Sequence, residues 1–295
     1  MNKIEELAKK HLGQHKDYGD QYDASLLVSI PRKYNREHYQ IDEQRLPFVG
    51  CDVWHAYEIS VLTEKGLPVS GILKITVPCN TPDIFESKSL KLYLNSFNMT
   101  RLGNNQTQCI TLLEERIRQD LSKATQGEVQ CRFFNTQPPE TDLTQDYTPL
   151  STLCDLDAID FTVQNAGASF LTGEDSGFRQ TYRFQTDLLR SNCRVTNQPD
   201  WGDVFIHLET THAVDFKKIA EYIVSHRKLN HFHEEICEMI YAHFQKAFKP
   251  EKLSVLCLYT RRGGIDINPF RASHNDWIPE AFGDVNRLFK RTIRQ

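Results

Sequence analysis

Val204-Phe205-Ile206-His207-Leu208-Glu209 opens the stretch that decides the fold. Val204, Ile206 and Leu208 alternate with Phe205, His207 and Glu209, the period of a half-buried strand. Downstream, Phe216, Ile219, Ala220, Ile223 and Val224 recur at i, i+3, i+4, i+7 and i+8, which is one face of a helix. Ile236, Met239, Ile240, Phe244, Ala247 and Phe248 spell a second helix in the same way. Residues 253–260 and 265–270 then read as two strands around Arg261-Arg262-Gly263-Gly264, a hairpin turn signal.

The first half carries the same order of elements. Strand-like runs fall at 54–62 and 71–77, where Leu73, Ile75 and Val77 alternate with Lys74 and Thr76. Two helices follow, over 86–97 and 108–124, the second with Ile110, Leu113, Ile117 and Leu121 on one face. Two more strands are expected at 129–134 and 158–163. Each half thus spells two strands, two helices and two strands. The turn-rich stretch 137–149 and the glycine-containing stretch 167–177 read as loops. The reading divides the chain at residues 1–165 and 166–295, although a single α+β domain with an accidental repeat gives the same order.

Composition narrows the function classes. At 295 residues, with 39% hydrophobic and 25% charged residues, the chain is an ordinary globular one. Its formal charge of −4, with no block of like charge, disfavours nucleic acid as a direct partner. No stretch approaches the roughly 20 apolar residues that span a bilayer. Residues 1–7 read as an amphipathic helix and not as a signal peptide. The eight cysteines include no C-x-x-C pair, which points to reduced cytoplasmic thiols and not to disulfides or a zinc ribbon.

Cys193 differs from the other cysteines because its surroundings, Leu188-Leu189-Arg190-Ser191-Asn192-Cys193-Arg194, are polar. Nearby Arg190 and Arg194 are expected to favour the nucleophilic thiolate. A loop cysteine without a role reads the same way. Asp200 lies in Gln198-Pro199-Asp200-Trp201-Gly202, a turn signal that folds the chain back toward Cys193. Beside a thiol it becomes an acid/base group, and otherwise a turn residue. Glu234, in His231-Phe232-His233-Glu234-Glu235, has the carboxylate geometry to accept two parallel N–H bonds from a guanine-like edge. A glutamate at a helix start also needs no function. A metal site of His231, His233 and Cys237 lacks a further ligand at zinc spacing, so no metal is expected. Ser87, Lys88, Lys91 and Asn95 share a helix face, and the lysine pair suggests an anion or else a solvated basic face. No G-x-G-x-x-G occurs, and the Arg262-Gly263 turn offers a phosphate contact or only a turn.

Together these segments resemble the NADPH-dependent 7-cyano-7-deazaguanine reductases, the nitrile reductases of the queuosine pathway. Glu86-Ser87-Lys88-Ser89-Leu90-Lys91-Leu92-Tyr93 is similar at every position to their E-[SL]-K-[SA]-h-K-[LY]-[YFW] signature, h being apolar. Ser191-Asn192-Cys193, Gln198-Pro199-Asp200-Trp201-Gly202, Phe232-His233-Glu234 and the segment from Arg261 to Pro269 resemble the long, two-module form. The resemblance implies an α+β protein of two tandem tunnelling-fold modules, each an antiparallel sheet with helices on one face. It implies Cys193 as nucleophile and Asp200 as general acid. Phe85, Glu86, Ser87, His233 and Glu234 would contact the deazaguanine, and Ser87, Lys88, Arg262 and Gly263 would contact NADPH. It further implies a cytoplasmic homodimer and four-electron reduction of the nitrile through a covalent thioimide, with a Cys193–Asp200 hydrogen bond. A metal-dependent purine or pterin cyclohydrolase-like enzyme on the same architecture is the alternative, and a non-catalytic nucleotide-binding module a third.

Overall fold

The computed structural model describes residues 21–295, so the helix expected at residues 1–7 lies outside the described residues. In chain order the main elements are β1 (Ser29–Pro31), α1 (Lys33–His38), β2 (Val49–Leu62), β3 (Pro68–Pro78), β4 (Asp83–Phe85), α2 (Ser87–Asn95), α3 (Gln106–Thr125) and β5 (Gln130–Phe134). The second half continues with β6 (Asp175–Cys193), β7 (Pro199–His212), α4 (Phe216–Val224), β8 (Asn230–His231), α5 (His233–Phe248), β9 (Lys252–Tyr259) and β10 (Ile265–Ala272). One nine-stranded sheet runs β8-β6-β7-β9-β10-β2-β3-β5, with Thr148–Pro149 beside β6. Its main strands pair antiparallel; only β8 and Thr148–Pro149 run parallel to β6. The two halves join where β10 pairs with β2, from Ile265 opposite Ala56 to Ala272 opposite Val49.

Strand alternation sorts the side chains into two layers. Val204, Ile206, Leu208, Val255 and Cys257 face α4 and α5, while Trp54, Ala56, Leu73 and Ile75 face the packing of α2 and α3. Cys51, Val53, Phe205, Leu256, Leu258 and Phe270 point to the reverse side, where Ala281, Phe282 and Phe289 of the C-terminal segment cover them. Lys74, fully buried on that side, donates to the carbonyls of Ala281, Asp284 and Arg287 at 2.6, 2.9 and 2.8 Å. Burial lowers its pKa to about 8, and the three carbonyls compensate the ammonium and pin the segment.

Helix signals hold up well locally. In α3 the buried stripe is Cys109, Leu113, Ile117 and Leu121; Asn105 caps its start and Gln126 ends it at φ 57°. Two expectations need correction. Residues 158–163 form no strand: Ile159 and Val163 pack on the core as irregular chain, and Phe161 is exposed. In the described residues the first half therefore gives β2, β3 and β5 to the main sheet, with the two-residue strand Thr148–Pro149 added beside β6, and Glu140–Thr141 pairs with Leu288–Phe289 instead. The second half holds a long strand, β6, that alternation did not reveal, because residues 175–181 are exposed on both faces. No helix among the described residues is long and apolar enough to cross a membrane.

Candidate active site

Cys193 ends β6, and the reversal comes at residues 194–197. Cys193 N donates to the Gln198 carbonyl at 2.8 Å, Asn197 N donates to the Cys193 carbonyl at 3.0 Å, and Asn197 takes φ 56°. The turn therefore precedes Pro199, and Asp200 lies within β7, opposite Ser191. Cross-strand partners share a face, so Ser191, Cys193, Gln198 and Asp200 point the same way. Cys193 and Asp200 are diagonal neighbours, about 7–8 Å apart in such a ladder. Cys193 is half-buried, and its sulfur has no hydrogen-bond partner among the described residues.

The expected thiol–Asp200 hydrogen bond is thus not made. Arg262 spans the Asp200 carboxylate and Gln198 Oε1, the latter at 2.6 Å, and His233 Nε2 stands 3.4 Å from Asp200 Oδ2. Burial raises the Asp200 pKa, but His233 and Arg262 outweigh it and hold the carboxyl below its ordinary value. Asp200 is ionised near neutrality, so it acts as an acid only after taking up a proton. Arg190 and Arg194 also depart from expectation. Alternation turns Arg190 away from Cys193, to the Arg227 carbonyl and the Trp201 ring at 5.8 Å, and Arg194 pairs with Glu235 at 2.5 Å.

His233 and Glu234 begin α5, next to this face. The His233 ring stacks on Tyr259 at 3.7 Å and 4°. Glu234 is buried, and its pKa is pushed up to about 7, first by burial and then by the Asp52 carboxylate. Glu234 Oε1 has no partner; nor have His233 Nδ1, Tyr259 OH or Ser191 Oγ, all buried. An unmade buried hydrogen bond costs about 1–3 kcal/mol, so four on one cluster call for an occupant.

The Glu86–Tyr93 motif starts α2. Glu86 is buried and caps the helix, accepting from Ser89 N at 2.7 Å, while Phe85 is buried with its ring 4.9 Å from Trp54. Ser87 and Lys88 are half-buried, and Lys88 has no ion pair among the described residues. Gly263 and Gly264 lie at φ 58° and 78°, and a Cβ on Gly263 would stand 3.1 Å from Lys91 Nζ. The 261–264 turn therefore lies against α2 and also reaches Asp200 through Arg262. Lys91, which also pairs with Glu58 at 3.5 Å, meets Arg261 and Arg262 at this corner, and Lys88 lies one turn back on α2; these donors suit a phosphate-bearing cofactor such as NADPH.

One chain thus brings Cys193, Asp200, His233, Glu234, Arg262 and Gly263 to one region, and Gly263 ties the α2 motif to it. The metal trio does not converge: His231 Nε2 bonds Tyr39 OH at 2.6 Å and Cys237 faces the Val255 carbonyl at 3.5 Å. Among the described residues no group of three or more His, Cys, Asp or Glu is placed to hold a metal ion. Sequence reasoning missed Ser191, Gln198, Tyr259 and Asp52. Tyr259 was within reach, since it follows Val255 and Cys257 on the helix-facing side of β9.

Fold and geometry bring the thiol of half-buried Cys193, the Asp200–His233 pair and the buried Glu234 together at one sheet that the two halves share. Residues 18–133 match the family model described as nitrile reductase, 7-cyano-7-deazaguanine-reductase N-term, and residues 199–277 match that of a QueF-like protein. The NADPH-dependent 7-cyano-7-deazaguanine reductase of Colwellia psychrerythraea is 38% identical over 296 residues, covering 98% of this chain and 97% of that one. The enzyme of the same name from Cupriavidus metallidurans is 41% identical over 273 residues, covering 91% and 95%. The crystal structure of the archaeosine synthase QueF-Like in the apo form aligns with 32% of this chain and 90% of that one, at 18% identity and a TM-score of 0.27. The chain belongs to the NADPH-dependent 7-cyano-7-deazaguanine reductase family.

Proposed function

We propose that this chain reduces the nitrile of 7-cyano-7-deazaguanine to an aminomethyl group at the expense of two NADPH. The observation that carries the reading is Glu234, a buried carboxylate with an unpartnered oxygen, one residue from the His233–Asp200 pair. The ring N–H and exocyclic amine of a deazaguanine are the two donors such a carboxylate lacks. Ser191, Tyr259 and His233 each keep one further unpartnered atom for the heterocycle.

With the ring held, the Cys193 sulfur attacks the nitrile carbon: an S–C bond forms and one C–N π bond opens. Asp200, kept ionised by His233 and Arg262, takes the thiol proton and returns it to the nitrile nitrogen, giving a thioimide. NADPH bound by Ser87, Lys88, Arg262 and Gly263 would supply one hydride to the substrate carbon at each of two reductions. Between them the C–S bond breaks, and its electron pair returns to Cys193. Asp200 and His233 hold the protons that the nitrogen takes up. Phe85 and Glu86 close the substrate side of the pocket, and burial shields the imine from water.

The tandem division at 1–165 and 166–295, a cytoplasmic homodimer and a small-molecule substrate without nucleic acid complete the reading. Eight unpaired cysteines and a net charge of −4 support the compartment and the absence of nucleic acid. The test is NADPH absorbance on addition of 7-cyano-7-deazaguanine. Two NADPH consumed per nitrile is the expected result. No oxidation, or oxidation without an amine product, contradicts the reading.

A further inference from the structure

Glu235 has no part in the steps above, yet it touches both halves of the reacting arrangement. Its Oε2 accepts from Phe232 N at 3.2 Å, capping the start of α5 from within; the Phe232 side chain has no acceptor to return the bond. Its Oε1 accepts from Arg194 at 2.5 Å, across 41 residues of sequence. The Glu235 side chain is 1% exposed and that of Arg194 16%. Capping alone accounts for the first bond and does not require the second.

The second bond matters because little else fixes the nucleophile. The Cys193 sulfur has no hydrogen bond of its own among the described residues, so backbone placement decides where it points. That backbone is the end of a strand entering a four-residue turn, paired on its outer side only by the two-residue strand β8, His231 opposite Cys193. The Arg194 guanidinium, besides its pair with Glu235, lies 5.8 Å over the Phe232 ring. Tyr39 OH and Glu235 Oε1 flank His231 Nε2 at 2.6 and 3.8 Å and steady the same corner.

We infer that Glu235 is a positioning residue for the covalent step, clasping the Cys193 turn through Arg194 to the helix start that carries His233 and Glu234. The clasp sets the distance between the sulfur and the nitrile held by Glu234. A misplacement of about 1 Å at a reacting centre costs on the order of 10²-fold in rate. The inference rests on the reading of Cys193 as nucleophile.

The test is the rate of thioimide formation at saturating 7-cyano-7-deazaguanine without NADPH, followed by rapid quench and intact mass. Glu235→Gln keeps an acceptor for Phe232 N but loses the charge that holds Arg194; Arg194→Gln removes the other partner. Each is expected to slow adduct formation by on the order of 10- to 100-fold, with nitrile affinity and the KM for NADPH unchanged. The double variant is expected to be no slower than either single one, since both break one interaction. Arg194→Lys should recover part of the rate. A wild-type rate in either single variant, losses that multiply in the double, or a loss confined to nitrile affinity overturns the clasp. Arg194 lies in a half-exposed turn, so Arg194→Gln decides the matter alone should Glu235→Gln not fold. Absence of any adduct in the wild type defeats the nucleophile reading itself; a normal wild-type adduct with a normal rate in Arg194→Gln defeats only the clasp.

Discussion

Replacing Glu234 with glutamine should stabilise the empty protein and cripple substrate binding at once. Burial moves the Glu234 carboxyl from 4.5 to about 7. In the unfolded chain it ionises above its ordinary value; in the folded protein it resists ionisation until about pH 7. Stability is therefore lost as pH rises between those values, and the loss is complete above the higher one. At about 1.4 kcal/mol per pH unit, that window corresponds to roughly 3 kcal/mol. For a chain of this size, whose unfolding entropy is on the order of 0.6 kcal/mol/K, the stake is about 5 °C in Tm. Glutamine is nearly isosteric and carries no charge, so Glu234→Gln should melt about 5 °C higher than wild type at pH 8.5 and nearly level with it at pH 4.5. Bound deazaguanine reverses the sign. Two charge-assisted hydrogen bonds worth about 1.5–3 kcal/mol each are lost, weakening binding by on the order of 10² to 10⁴. Differential scanning fluorimetry at the two pH values, with calorimetry for the ligand, reads both effects. A variant that melts below wild type at pH 8.5, or that binds the heterocycle as tightly, refutes the reasoning.

Asp200→Asn should slow adduct formation by on the order of 10²–10⁴, the usual span of general acid–base assistance, and an unchanged rate removes Asp200 from the mechanism. Lys88→Ala should raise the KM for NADPH while sparing that for the nitrile; steady-state titration of each shows which way it falls. Chelator treatment should leave NADPH oxidation intact, and loss of turnover restored by a divalent metal favours the cyclohydrolase-like alternative.

Helices α3 and α4 were legible because their burial is one-sided. Strand β7 and the β9–β10 hairpin are buried on both faces, Phe205 and His207 included, and their apolar residues and the turn between β9 and β10 marked them instead. Leu113, Ile117 and Leu121 all reach zero exposure on one face of α3, and Val204, Ile206 and Leu208 are buried as their spacing requires. The strand β6 was not legible because its first seven residues are exposed on both faces and carry no period. Residues 158–163 misled for the opposite reason, since Ile159 and Val163 meet the core from irregular chain. At the site, residue types were readable and partners were not. Arg190 and Arg194 stand near Cys193 in sequence, yet strand parity and Glu235 take them elsewhere. Arg262 reaches Asp200 across 62 positions, a pairing that only the β7–β9 ladder creates. The resemblance carried the role assignments that no local pattern could.

Intact-mass spectrometry of the protein with 7-cyano-7-deazaguanine, before any NADPH is added, bears most directly on the thiol chemistry. The wild type should gain the mass of one substrate molecule, and Cys193→Ala should gain nothing while still binding the heterocycle. A substrate-sized adduct that persists in Cys193→Ala contradicts the account, as does a wild type that turns over without ever carrying one.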